Sequence, residues 1–350
     1  MRPVSLAGLA LCCACTCRSP APPAPAAPVA RLEKIDVHTH VSPGALGHLL
    51  PTLEAEGIRT IVNLSGGSGP QLEAQLEAAR RWPGRVVVFC TPDLRRPDPA
   101  ELELMKLAGC GGLKIYKALG LGITKADGAL LAADDPSLDA LFEKAGALQL
   151  PVAMHTGDPK AFWLPVTPEN ERYEELTVHP DWALHGKAVP SFDALLAQFE
   201  RRVARHPRTT FIGLHFGNDA EDPAAVDAML ERNPNLFVDT AARVPELGRA
   251  PSAKLREIFV RRQDRIVFGT DLAAGDHPGQ LVLGSPGRQL PTPAEVSRFW
   301  SATWRFFETN DRAFAHPTPI QGAWAIDGIG LPPEVLRKIY RDNAARLLGL

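Results

Sequence analysis

Charge of one sign never accumulates along this chain. Its 38 lysines and arginines nearly balance 40 acidic residues, with no long run of either, so the electrostatic footprint of a nucleic-acid partner is missing. Cysteine is scarce where it would bear on folding. Cys12, Cys13, Cys15 and Cys17 crowd at the start and only Cys90 and Cys110 remain in the body, which excludes a disulfide framework as the basis of the fold. No internal repeat is visible beyond a strand-helix unit. The apolar run at the N-terminus is too short to stay in a bilayer as a spanning helix. What remains is an ordinary globular composition, 45% apolar and 22% charged over 350 residues. That supports a sizeable core, as two domains or as one α/β barrel, with a small molecule as the default partner.

The first thirty residues read as targeting rather than structure. Arg2 supplies a positive start, Val4 to Cys17 is small and apolar, and a Pro/Ala-rich stretch follows. Residues 1–18 are expected to be a cleaved signal peptide and residues 19–30 a tether, the only low-complexity segment. Cysteines clustered ahead of such a tether resemble a bacterial lipoprotein signal, with ordinary secretion as the alternative. Either route takes the protein out of the cytoplasm, to the periplasm or, through a lipid, to the membrane.

From Arg31 onward, short β-branched runs alternate with longer amphipathic ones, the pattern of repeated βα units. Eight strands are expected, over residues 34–38, 59–64, 85–90, 112–116, 152–155, 210–215, 236–240 and 265–269. Asp135-Pro136, Ser191 and Asp222-Pro223 carry helix-start signals, each ahead of a periodic apolar face. Eight such units close a (β/α)8 TIM barrel spanning residues 31–350. Two connections, after strands five and eight (residues 156–190 and 272–293), are far longer than a βα loop needs. They leave the face where barrel enzymes act, which makes them candidate pocket walls.

Alternation along a strand sends every second side chain inward. On strand one this rule puts Ile35 and Val37 outside and Asp36, His38 and His40 inside. On strand five it puts Ala153 and His155 inside, on strand six Gly213 and His215, and on strand eight Gly269 and Asp271. Four histidines and an aspartate then converge at one mouth of the barrel, with small residues beneath them. Buried imidazoles and a carboxylate need partners, and together they are the donors that hold a catalytic divalent ion, zinc above all, with a position left for water.

The ordered set His38-x-His40, Pro151 to His155 (Pro-Val-Ala-Met-His), Phe211 to His215 (Phe-Ile-Gly-Leu-His), Val267 to Asp271 (Val-Phe-Gly-Thr-Asp) and Asn343 to Leu348 (Asn-Ala-Ala-Arg-Leu-Leu) resembles the amidohydrolase superfamily, in its amidohydrolase-related branch. The resemblance implies that His38, His40, His155 and Asp271 bind the metal. It implies that His215 joins a second metal or polarises the substrate, and that Lys114 on strand four is carboxylated and bridges two metals in a binuclear site. From facing alone, Lys114 points inward and needs a partner, for which a salt bridge with Asp36 or a substrate contact serves equally well. Lys117 lies on the opposite parity and is the weaker candidate.

Arg243, just beyond strand seven, could clamp a substrate carboxylate, and Asp239 faces inward in support of the ligands. His179, His185 and His277 lie in the long loops, within reach of a substrate. The remaining histidines are expected at the surface, and Trp300, Trp304, Phe306 and Phe307 against the barrel. The expected reaction is hydrolysis of an amide, lactone or other ester, with Asp271 moving the proton and His215 meeting the oxyanion. The alternative is non-oxidative decarboxylation of an aromatic or unsaturated acid.

Overall fold

Short runs rich in valine and isoleucine suit a pleated surface buried on both faces, and eight of them pair in parallel, in chain order. They are β1 (Lys34–Val41), β2 (Ile58–Asn63), β3 (Val86–Cys90), β4 (Gly112–Ile115), β5 (Val152–Met154), β6 (Phe211–Gly213), β7 (Leu236–Asp239) and β8 (Ile266–Val267). The computed structural model describes residues 32–350, and these form one unit. The expected signal peptide and tether lie outside the described residues.

The eighth strand is split. Ile266–Val267 pairs with β7, the chain breaks step, and the run resumes as β9 (Leu272–Ala274), which pairs in parallel with β1. Across the break, Val37 N–H donates to Phe268 O and Asp271 N–H donates to His38 O, both at 2.9 Å. The sheet thereby closes on itself as a (β/α)8 barrel. The long connection expected from residue 272 accordingly starts later, since Leu272 belongs to the ladder. It folds back as β10 (Leu281–Leu283), antiparallel to β9.

Helices begin where short polar side chains can meet free backbone N–H groups. Ser191 caps Phe192–Arg205 and Asp222 caps Pro223–Arg232. Asp135 caps a single 3-10 turn that leads into Asp139–Ala147. Thr292 and Glu295 form a reciprocal capping box on Pro293–Glu308. That helix lays Trp304 and Phe307 against Phe268 of the barrel, with ring centroids 5.4 and 6.3 Å away. Among the described residues no helix is long and apolar enough to cross a membrane.

Two apolar layers result. Leu113, Ile115, Val152, Met154, Phe211 and Val238 pack outward with the helices. Ile35, Val37, Val62, Phe89, Ala153, Ile212 and Val267 pack with one another. Residues from six strands can meet in this way only inside the cylinder. A disulfide joins Cys90, at the end of β3, to Cys110, ahead of β4, with Cα atoms 5.9 Å apart. The barrel therefore carries one bridge, although no framework of them.

Candidate metal centre

The inner cluster corrects the expected facing on two strands. On β1, Ile35 and Val37 point inward. Asp36 pairs with Ile61 of β2 but Thr39 with Asn63, so three steps on β1 match two on β2, which is a β-bulge. Asp36 then turns to the outer side, where its carboxylate accepts from His38 N–H (3.0 Å), Thr270 N–H (3.1 Å) and Thr270 Oγ1 (2.6 Å). It is not a partner for Lys114. Past the bulge, His38 and His40 are presented to the barrel mouth.

On β6 it is Ile212 and Leu214 that belong inside. Gly213 faces the helix Phe192–Arg205, since a Cβ there would lie 3.1 Å from the Phe199 ring. His215 reaches the mouth by a different route. The chain leaves the strand through left-handed residues, His215 at φ 55° and Phe216 at φ 57°, and this turn swings the imidazole inward. Asp271 is delivered similarly, at φ 62° in the break between β8 and β9. Non-glycine residues pay roughly 1–2 kcal/mol for this conformation, and at His215 the cost is offset by its N–H donating to Asp239 Oδ1 at 2.6 Å. On β5, β7 and β8 the expected facing holds. Beneath the site, a Cβ on Gly269 would approach His38 Cβ to 3.0 Å and Ala241 Cβ to 3.3 Å, so a larger residue would push on the His38 ring.

All seven expected site residues, His38, His40, Lys114, His155, His215, Arg243 and Asp271, line one pocket of about 180 Å³. His38 Nε2 and His40 Nε2 lie 3.1 and 3.5 Å from the same oxygen, Asp271 Oδ1. Among the described residues, His38, His215 and Asp271 each offer a donor atom within 4.8 Å of the others, a group that His40 and His155 do not join. The His155 ring centroid is 4.4 Å from that of His215, and its Nε2 lies 3.6 Å from Asp158 Oδ1.

The far sides of three rings are engaged. His38 Nδ1 meets Asp239 Oδ2 at 2.7 Å, His40 Nδ1 meets Ser65 Oγ at 2.7 Å, and His215 Nδ1 donates to Ala241 O at 2.9 Å. In this arrangement the outer shell fixes each ring and leaves the other nitrogen for an ion. The Nε2 atoms of His38 and His155 are buried without a hydrogen-bond partner.

Electrostatics suit a cation as well. Burial pushes His40 down to about 3 and His155 down to about 4, the latter against the opposing pull of Asp158. Burial also holds His215 well below its usual value, so these rings are neutral. For Asp271, burial favours the acid, but His38, His40 and Lys114 outweigh it and keep the carboxylate ionised. His38 shifts up: burial opposes this, and Asp271 and Asp239 prevail. Burial brings Lys114 down to about 8, against the pull of Asp271 and Asp239. A divalent ion requires neutral imidazoles with an ionised carboxylate, which His40, His155, His215 and Asp271 supply as they stand and His38 supplies on giving up its proton in exchange for the ion.

The pocket also holds residues that sequence reasoning passed over or ranked low. Lys117 contacts both oxygens of buried Asp158, at 2.8 and 2.7 Å. Phe162 and Trp182 stack 6.2 Å apart, and Glu175, Ser285 and Gln321 complete the wall. Most come from long connections without periodicity, where no sequence signal marks them. His179 is outside the lining. It stacks on Trp182 at 4.0 Å and bonds Pro286 O, while His185 and His277 are exposed. His206 and His316, expected at the surface, are buried.

A family model described as amidohydrolase matches residues 50–350. The chain belongs to the amidohydrolase family. It is an enzyme family of the amidohydrolase superfamily, and it is metal-dependent. The match begins after His38 and His40, so these two are placed by geometry alone. None of the curated proteins matches the chain in sequence.

Among solved structures, a 2,6-dihydroxybenzoate decarboxylase from Rhizobium is similar at 17% identity and a TM-score of 0.50, covering 91% of this chain and 98% of that one. A dihydroxybenzoic acid decarboxylase from Polaromonas sp. JS666, with bound manganese and the inhibitor 2-nitroresorcinol, is similar at 14% identity and a TM-score of 0.52, covering 91% and 97%. At such identities the likeness speaks for the barrel and not for the reaction.

Proposed function

We propose that this amidohydrolase is a zinc-dependent hydrolase that cleaves an amide, lactone or other ester bond of a small anionic molecule. The observation that carries this reading is Asp271 Oδ1, ionised and approached by His38 Nε2 and His40 Nε2 at 3.1 and 3.5 Å. His38, His40, His155 and Asp271 would hold the ion. His215 joins them, and a second ion would engage Lys114 as well. The bound ion supplies a Lewis acid for the acyl oxygen and a water whose pKa falls from about 16 to about 7.

The chain's own groups supply the rest. Asp271 takes a proton at a carboxylate oxygen and returns it to the leaving group. His215 Nδ1 is committed as donor to Ala241 O, so the neutral ring offers only a lone pair at Nε2. It therefore serves as a ligand, and meets the oxyanion only when protonated. Arg243, 8% exposed, donates to Ala242 O and has no carboxylate partner among the described residues, which leaves its guanidinium to hold a substrate anion.

A second reading, non-oxidative decarboxylation of an aromatic acid, is favoured by the flat wall of Phe162 and Trp182, whose planes are 24° apart. One experiment separates the two. The zinc-loaded protein is offered a panel of lactones, aryl esters and N-acyl compounds beside hydroxybenzoic acids, with release of acid and of carbon dioxide both measured. Acid release that Asp271→Asn lowers by about 10³-fold or more supports hydrolysis. Carbon dioxide release alone establishes the second reading. The exported location is likewise a proposal, tested by fractionating cells that produce the full chain.

A further inference from the structure

His155 and Asp158 leave the end of β5 together, and both line the cavity. His155 Nε2 and Asp158 Oδ1 are 3.6 Å apart. That is close to the spacing of His40 Nε2 from Asp271 Oδ1, 3.5 Å. Donors bound at roughly 2.0–2.2 Å around a tetrahedral ion stand about 3.4 Å from one another. By distance alone, Asp158 could therefore bind the same ion as His155, whose Nε2 has no hydrogen-bond partner. Something else holds it. Lys117, just beyond β4, places Nζ 2.8 Å from Asp158 Oδ1 and 2.7 Å from Oδ2. The same ammonium lies 5.3 Å from the centre of the Trp182 ring, an attractive position over an aromatic face. Burial favours the acid form of Asp158, but Lys117 and His155 outweigh it and keep the carboxylate ionised. A catalytic site needs one coordination position left for water, and an ionised carboxylate at this spacing is the group that would close it.

We propose that Lys117 is a positioning residue that keeps the water position of the metal open: by binding both oxygens of Asp158, it withholds that carboxylate from the ion gripped by His155. Asp158 is then a latent ligand, and the ammonium is the counter-charge that satisfies it without the metal. The proposal rests on the metal site read above, with His155 as one of its ligands, and goes beyond it in naming what keeps a further carboxylate away. Removing the ammonium would leave a buried charge unpaired, which is costly, and the ion beside it is the cation available to take its place.

The test counts water on the metal, so that it stands apart from turnover. The full-length protein is loaded with manganese, and the relaxation of solvent protons reports how much exchanging water the ion carries. The unmodified protein shows the enhancement of an ion with water bound. Lys117→Met frees Asp158 to displace that water and lowers the enhancement by about half or more, and Lys117→Ala does the same if the methionine variant folds poorly. Adding Asp158→Ala to either variant restores it. Loss of the lysine charge without coordination by Asp158 would leave the enhancement unchanged, and that result overturns the proposal. A reduced enhancement that persists without Asp158, or an ion that carries no exchanging water in the unmodified protein, overturns it as well. Failure to bind manganese or zinc removes the metal site and this proposal together. The expected pattern in a protein that hydrolyses nothing removes only the hydrolase.

Discussion

Asp239 Oδ2 sits 2.7 Å from His38 Nδ1, and the same carboxylate takes the His215 N–H on its other oxygen at 2.6 Å. One buried side chain on β7 thus orients a ring on β1 and fixes the left-handed turn after β6. Replacing it with asparagine keeps the shape but removes the charge that holds His38 in its ligand tautomer. Asp239→Asn is expected to weaken zinc affinity about 10–100-fold, read by competition with a chelating dye. Unchanged affinity would show that His38 needs no such support.

Arg243 is expected to act on binding rather than on the chemical step. Arg243→Met raises KM for anionic substrates roughly tenfold or more, about 1.4 kcal/mol per factor of ten, and leaves kcat nearly unchanged. Arg243→Lys recovers only part of this, since an ammonium does not reproduce the planar two-pronged contact. A matching loss on neutral esters would assign the effect to folding instead.

The Cys90–Cys110 bridge encloses a separation of 20 residues, for which loop-closure entropy predicts about 3 kcal/mol. Reduction is expected to lower Tm by several degrees. Alkylation of the unfolded, unreduced protein followed by mass spectrometry should find neither cysteine labelled. Labelling of both would mean the thiols stay free.

Burial raises Asp219 from 3.8 to about 6, against the opposing charge of Lys160. Because the folded state holds this proton more tightly than the unfolded chain, the group stabilises the fold at acid pH. That contribution disappears as pH climbs from about 4 to about 6. Asp219→Asn is expected to be the more stable protein at pH 7 and to show a flatter dependence of Tm between pH 4 and 6. An unchanged slope would place the carboxyl in water.

Most of the barrel was legible because valine-rich runs and capped amphipathic stretches each report a local preference. All eight strands could be found on that basis, and the seven candidate residues, singled out at or just beyond strand ends and by the family resemblance, line one pocket. The sidedness of β1 and β6 could not. Alternation assumes an unbroken pleat, whereas a bulge between Asp36 and Thr39 and positive φ at His215 each reset the phase. The histidines were picked out despite the wrong parity, because irregular backbone brought them inward where regular backbone would not have. Gln321 and Asp158 lay beyond reach for another reason: the long connections place them by contacts with other loops, and nothing periodic in their neighbours says which way they turn.

The break in the eighth strand has a mechanical consequence. The two halves of that run lean on different neighbours, and the last seam of the cylinder is sewn by Val37 with Phe268 and by His38 with Asp271. An ion gripped by His38 and Asp271 would act as a clasp across that seam, so breathing of the barrel and loss of the ion become the same event. Amide exchange at Val37 and Asp271, the two N–H donors of the seam, would then report metal loading more sharply than melting of the whole protein does.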